Sequence, residues 1–189
     1  MALIKAEKGG KDSNCYITLE EAEKYFEIRL NTAEWEKATD IIKEKALIMA
    51  TGVIDTLDFS GKKWKDGTPD SDDYQALSWP RYPDYQDPYM LGIPHLMGSA
   101  RESREWVDSK SEPIIPKALK DAVCEQAYFL IRAVKGIDKR EHLKGQGIKS
   151  ISYPDINETF VDSTPIAPAA FRCLNKLNCL NSTIRIVRG

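Results

Sequence analysis

Pro116-Lys117-Ala118-Leu119-Lys120-Asp121-Ala122-Val123-Cys124-Glu125-Gln126-Ala127-Tyr128-Phe129-Leu130-Ile131-Arg132-Ala133-Val134-Lys135-Gly136 is the stretch that decides the fold. Leu119, Ala122, Val123, Gln126, Ala127, Leu130, Ile131 and Val134 recur at three- and four-residue spacing, which gathers side chains on one face of an α-helix. Pro116 suits a first turn, where its missing N–H costs nothing, and Gly136 stops the pattern. The apolar stripe is wide, so this helix is expected at the centre of a core. Cys124 sits beside the stripe as a small core hydrophobe.

Other helices are expected around it. Thr18-Leu19-Glu20-Glu21 reads as a capping box, in which the Thr18 hydroxyl accepts from the backbone of Glu21 and the Glu21 carboxylate reaches back. Leu19, Ala22, Phe26 and Leu30 then share a face. A helical turn around Trp35 leads into a second long helix through Ala46, Met49, Ala50, Val53, Ile54 and Leu57, ending near Ser60-Gly61, where glycine suits a left-handed cap. A last helix, from Pro165 to Leu180, runs through Ala170, Phe171, Leu174 and Leu177, with Cys173 and Cys179 flanking its stripe.

Regularity fails between these helices. Asp66-Gly67-Thr68-Pro69-Asp70 is a turn cluster, and Pro80, Pro83, Pro88 and Pro94 exclude a helix or a central strand over residues 80–94. Residues 99–108 are predicted to form a short helix within this loop. Gly145-Gln146-Gly147 precedes a strand over 148–153, with Thr159-Phe160-Val161 as its hairpin partner. The final Thr183-Ile184-Arg185-Ile186-Val187-Arg188 alternates, is rich in β-branched residues, and has no neighbour in sequence to pair with, so it is expected to be extended and donated to another chain. The predicted fold is mainly α: a small helical bundle of about four helices with a long irregular loop, a short β-hairpin and an extended C-terminal segment. Residues 1–15 are read as a flexible arm, 16–181 as one helical domain with 62–114 as a loop insertion and 146–162 as the hairpin, and 182–189 as the extended segment.

Composition narrows the function. The 189 residues are 42% apolar, enough for a real core and too apolar for a disordered chain. A net charge of −2 and a pI near 5.8 speak against a protein whose main task is neutralising phosphates. Charge is uneven: residues 1–116 hold 15 positive and 22 negative side chains (net −7), and 117–189 hold 12 and 7 (net +5). No apolar run reaches the ~20 residues that span a bilayer, and no signal peptide is read at Met1, so no membrane partner is expected and the four cysteines are expected reduced.

No reaction motif emerges. Cys15, Cys124, Cys173 and Cys179 form no paired spacing with each other or with His95 and His142, so neither zinc nor any other metal or cofactor is expected. Asp66, Asp70, Asp72 and Asp73 fail as an EF-hand, because Gln75 stands where the loop needs glycine and no glutamate falls at its twelfth position. Gly145-Gln146-Gly147 lacks the rest of a phosphate loop. The chain is expected not to be an enzyme, and no catalytic residue is assigned.

Two readings compete for Gln75-Ala76-Leu77-Ser78-Trp79-Pro80-Arg81 and the loop after it. Trp79, Tyr82, Tyr85, Tyr89 and Trp106 suit base stacking, with Arg81, Arg101 and Arg104 on phosphates. Residues 79–112, however, carry four Lys or Arg and six Asp or Glu, a poor lining for a polyanion. The same eight residues are therefore assigned as candidate subunit or tail contacts, with Trp79 and Pro80 closing the loop onto the core.

In order and spacing, Tyr16-Ile17-Thr18-Leu19-Glu20-Glu21-Ala22, Trp79-Pro80-Arg81, Ile115-Pro116 and Arg188-Gly189 resemble the phage head–tail connector adaptor family, often labelled DnaT-like single-stranded DNA-binding protein. The resemblance implies a structural virion protein in the neck of a tailed bacteriophage, assembled in the host cytoplasm. Its partners would be itself in a ring, expected to be twelvefold, the portal protein and tail or neck proteins, with genome DNA passing transiently through the lumen. By position, Thr183, Ile184, Arg185, Ile186, Val187, Arg188 and Gly189 become the portal-docking candidates. The label implies the alternative, a single-stranded DNA-binding accessory protein. The stretch between Arg81 and Ile115 is longer than the family pattern.

Overall fold

The computed structural model describes residues 3–82, 106, 112–134, 150–152, 157–159, 166–177 and 180. Five helices lie in these segments: α1 (Leu19–Glu27), α2 (Ala33–Glu36), α3 (Asp40–Asp55), α4 (Lys117–Val134) and α5 (Pro168–Asn175). Two short antiparallel ladders accompany them, β1 (Lys62–Lys63) with β2 (Arg81–Tyr82) and β3 (Ser150–Ser152) with β4 (Asn157–Thr159). The protein is mainly α with a small hairpin.

The long helix is the hub. α4 packs on α3 along one side and on α5 along another, and it also meets α1 and α2. Its Leu119, Ala122, Val123, Cys124 and Ala127 are fully buried, in one apolar cluster with Leu47, Ala50 and Ile54 of α3 and Ala170 and Leu174 of α5. Burial of this order contributes roughly 1.5–3 kcal/mol per large side chain. Pro116 stands just outside the helix rather than in it, and its carbonyl accepts from Leu119 and Lys120.

The capping box forms as the sequence dictates. Glu21 N–H donates to Thr18 Oγ1 and Thr18 N–H to Glu21 Oε2, both at 3.2 Å, and Lys120 of α4 donates to the other Glu21 oxygen at 2.6 Å. Burial alone would raise the Glu21 carboxyl, but the Lys120 and Thr18 bonds outweigh it and hold the group below its usual value. Thr18→Ala is expected to cost about 1 kcal/mol in urea unfolding, and Thr18→Ser to recover most of it. Equal losses in the two variants would show that the hydroxyl does not cap.

Several stripe positions fall elsewhere than predicted. α1 ends at Glu27 and Asn31 takes a positive φ of 59°, so Leu30 is turned out to solvent instead of continuing the face. On α3 the buried face is Ala46, Leu47, Ala50, Thr51 and Ile54, while Met49 is exposed, and the helix stops at Asp55 well before Gly61. Val134 is 90% exposed at the last turn of α4. α5 is shorter than its predicted span, with buried Leu177 lying just beyond it.

The expected flexible arm is instead tied down from residue 3 onward. Asn14 is the clasp: its Oδ1 accepts from Lys5 N–H at 2.8 Å, its Nδ2 donates to Leu3 carbonyl at 2.9 Å, and its own N–H donates to Lys5 carbonyl at 2.9 Å. Gly9, at φ 64°, lies against the Trp64 ring, where an added Cβ would come within 2.8 Å of ring carbons. Polarity suggested a loose arm, but a side chain that mimics backbone bonding and a glycine that permits close approach fold it back. The 148–153 strand appears as β3, pairing Ser150 with Thr159 and Ser152 with Asn157. The predicted helix over 99–108 and the extended segment 182–189 lie outside the described residues, Trp106 excepted.

Candidate functional site

Gln75 to Arg81 faces inward and works as a knot. The Gln75 side chain, 1% exposed, donates through Nε2 to the carbonyls of Leu77 at 2.9 Å and Pro80 at 3.1 Å, and accepts from Lys65 N–H at 3.1 Å. One amide thus fixes both sides of the loop. Asp55, the last residue of α3, accepts from Ser78 N–H at 2.8 Å and from the Tyr16 hydroxyl, and that hydroxyl in turn accepts from Trp79 N–H at 3.2 Å. Burial and the neighbouring Asp55 carboxylate push the Tyr16 phenol well above its ordinary range, so it stays a neutral donor.

Arg81 closes the knot. Its guanidinium donates to the carbonyls of Ser60 at 2.8 Å, Phe59 at 3.1 Å, Ser78 at 3.3 Å, and Gly61. Gly61 holds φ 81° under the strand, where a Cβ would sit 2.2 Å from the Tyr82 carbonyl oxygen. Trp79, 1% exposed, is joined to Pro80 by a cis peptide bond and packs edge-on against Phe59 (centroids 5.7 Å apart) and Trp106 (4.8 Å).

This placement corrects part of the predicted contact set. Trp79 and Trp106 are core residues, so these two do not form an external face in this fold, while half-buried Arg81 donates to four carbonyls of the chain's own backbone. The expectation that Trp79 and Pro80 close the loop onto the body holds. Tyr82 is half-buried in β2. Tyr85, Tyr89, Arg101, Arg104 and residues 183–189 lie outside the described residues, as do His95, His142, Cys179 and Gly145 to Gly147.

A second polar centre escaped the sequence reading. Glu125 on the inner side of α4 is chelated by Arg29, Nε to Oε1 at 2.6 Å and Nη2 to Oε2 at 2.8 Å, and also accepts from the Tyr25 hydroxyl at 2.6 Å. Burial would raise this carboxyl, but the Arg29 and Tyr25 bonds outweigh it and hold it low. The signal was present: an acidic residue within an apolar arc needs a cation from elsewhere. Its partner, 96 residues away, was not readable from spacing.

Burial raises the thiols of Cys15, Cys124 and Cys173 above their ordinary range, the reverse of an activated cysteine. Among the described residues no group of His, Cys, Asp and Glu could hold a metal ion. No helix among them is long and apolar enough to cross a membrane.

The surface is distinctive in its apolar residues. Ile42 and Met49, seven residues apart on α3, are exposed together with Ile41, and Ile28, Leu30 and Val134 stand out at the ends of α1 and α4. The class defined so far is a mainly α-helical protein whose aromatic signature is structural. Residues 1–94, just under half of the chain, match the family described as "Putative DnaT-like ssDNA binding protein". No curated protein and no solved structure matches the chain.

Proposed function

We propose that this chain is a structural protein of a tailed-phage particle, an adaptor that joins portal and tail as a ring of identical subunits and carries out no reaction. The observation behind this reading is where side chains are spent. The signature's Trp79 and Arg81 hold the chain's own loop, whereas Ile41, Ile42 and Met49 are offered to the outside from a rigid helix. Exposed aliphatic side chains on a helix suit packing against another protein far better than contact with a phosphate chain. The resemblance in motif order supplies the partners, a second copy of this chain and the portal.

Portal rings mixed with the full chain and viewed by electron microscopy should gain an added ring of density. Ile42→Asp with Met49→Asp should abolish it while leaving the circular dichroism unchanged. Failure of the natural chain to associate with itself or with portals sinks this reading.

Single-stranded DNA binding is the second reading, and the family match favours it directly. Against it, the matched residues 1–94 carry 12 Lys or Arg and 18 Asp or Glu, a net charge of −6. Titration of a labelled oligodeoxynucleotide across salt concentrations separates the two. Real phosphate contacts on a single strand give a log–log slope of about −0.7 per phosphate neutralised. A slope worth several phosphates would replace the adaptor reading, and flat, weak binding removes the DNA one.

A further inference from the structure

Gly52 stands on the outward side of α3, and nothing within this chain asks for a glycine there. A Cβ built on it would meet no atom within 4 Å, and its backbone is ordinary helix. Glycine inside a helix is unfavourable relative to alanine, because it gives up more conformational freedom and packs nothing. Gly9 and Gly61, by contrast, are each required by a close neighbour in the chain itself. The turn of an α-helix puts Ile41, Gly52, Lys45, Thr56, Met49 and Ile42 on one arc of about 100°, and all six are exposed. Lys45 is the single charge among them, where a solvated helix face is ordinarily polar and charged throughout. Ile41, Ile42 and Met49 are 60%, 49% and 61% exposed. α3 is therefore apolar toward α4 and apolar away from it. A residue without a side chain amid such aliphatics is what lets a second helix approach to the short end of the usual interaxial range.

We propose that α3 packs antiparallel against α3 of a second copy of this chain, with Gly52 as the point of close approach. This contact rests on the reading above that copies associate through α3, and it adds an orientation and a register. Charge selects the orientation. A parallel pair in register would set the two Lys45 ammoniums against each other. In an antiparallel pair each Lys45 points toward the C-terminal end of the other helix, where the peptide dipoles are negative and Asp58 is exposed just past the Thr56 cap. A twofold axis between Ile48 and Met49 sets each Lys45 stem across the other copy's Gly52, so the lysine methylenes take the space that a Cβ would fill. Such a contact is isologous and closes on itself, and a ring then grows from pairs through another face.

Sedimentation equilibrium of the full chain beside Gly52→Ala and Gly52→Leu tests it. The natural chain is expected to pair reversibly. Gly52→Ala should raise the melting temperature of the dilute monomer by about 2–4 °C, the gain from removing a helical glycine, and yet weaken pairing about tenfold by crowding the contact. Gly52→Leu should weaken pairing about a hundredfold or more with its circular dichroism unchanged. Oxidative cross-linking reads the orientation: Met49→Cys, beside the axis, should link two copies above the background of the natural chain, and Ile41→Cys, opposite the far end of the other helix, should not. Pairing by Gly52→Leu as tight as that of the natural chain, or equal linking by the two cysteine variants, overturns the antiparallel crossing. A natural chain that adds a ring to portals but stays monomeric in solution also overturns it and leaves the adaptor reading standing. A chain that neither pairs nor joins portals removes both.

Discussion

Trp79→Ala lowers the free energy of unfolding by about 3–5 kcal/mol, the range for emptying a fully enclosed aromatic site. The indole is 1% exposed and contacts Phe59 and Trp106 edge to face, so its loss removes apolar burial and two ring contacts together. The damage should also be local. Amide exchange is expected to accelerate across residues 59–82, which the knot holds, and to change least in the middle of α4, whose burial rests on α3 and α5. Urea unfolding with hydrogen exchange measures both effects. Trp79→Phe should retain part of the stability, since a smaller ring fills part of the space. A loss below about 1 kcal/mol in Trp79→Ala would mean that the loop is not anchored there.

Glu125→Gln is expected to cost about 3 kcal/mol at neutral pH, at the lower end for breaking a buried pair because Arg29 keeps some access to water. The amide offers one acceptor where the carboxylate offered two, and its NH2 group faces donors of Arg29 and Tyr25. The loss should depend on pH with a definite sign. Glu125 is held below its ordinary value of 4.5, so its contribution is complete above that value and fades as the pH falls through the lowered one. The natural chain should therefore lose its advantage over Glu125→Gln on acidification, and their melting temperatures should converge. A gap that stays constant as the pH is lowered from neutral through the acid range would show that packing rather than charge carries the effect.

These two sites mark the boundary of what was legible in the sequence. α4 could be read because Leu119 to Ile131 repeat at helical spacing, and α1 because Thr18 and Glu21 are three residues apart; both signals are local. The same logic misplaced Leu30 and Met49. An apolar residue at the right spacing is buried only if the helix continues to it and a partner covers that face, and neither condition is written locally. β1 and β2 are two residues each, Lys-Lys and Arg-Tyr, with no alternation to detect. The knot lay further out of reach. Tyr16 meets Trp79 across 63 positions and Arg29 meets Glu125 across 96, pairings that only the finished packing selects. Arg81 shows the cost of reading by type: beside Trp79 and Tyr82 it looked like a hand for phosphates, and the fold gives that hand four carbonyls to hold.

The isolated bridge between Phe59 and Leu180 carries a mechanical consequence. Phe59 offers its carbonyl to Arg81 and its ring to Trp79, so Leu180 is paired with the segment that the knot holds. Tension drawn on the chain beyond Leu180 is delivered to the turn after α3 as well as to α5. The two routes share the load, and α5 is spared from unwinding alone.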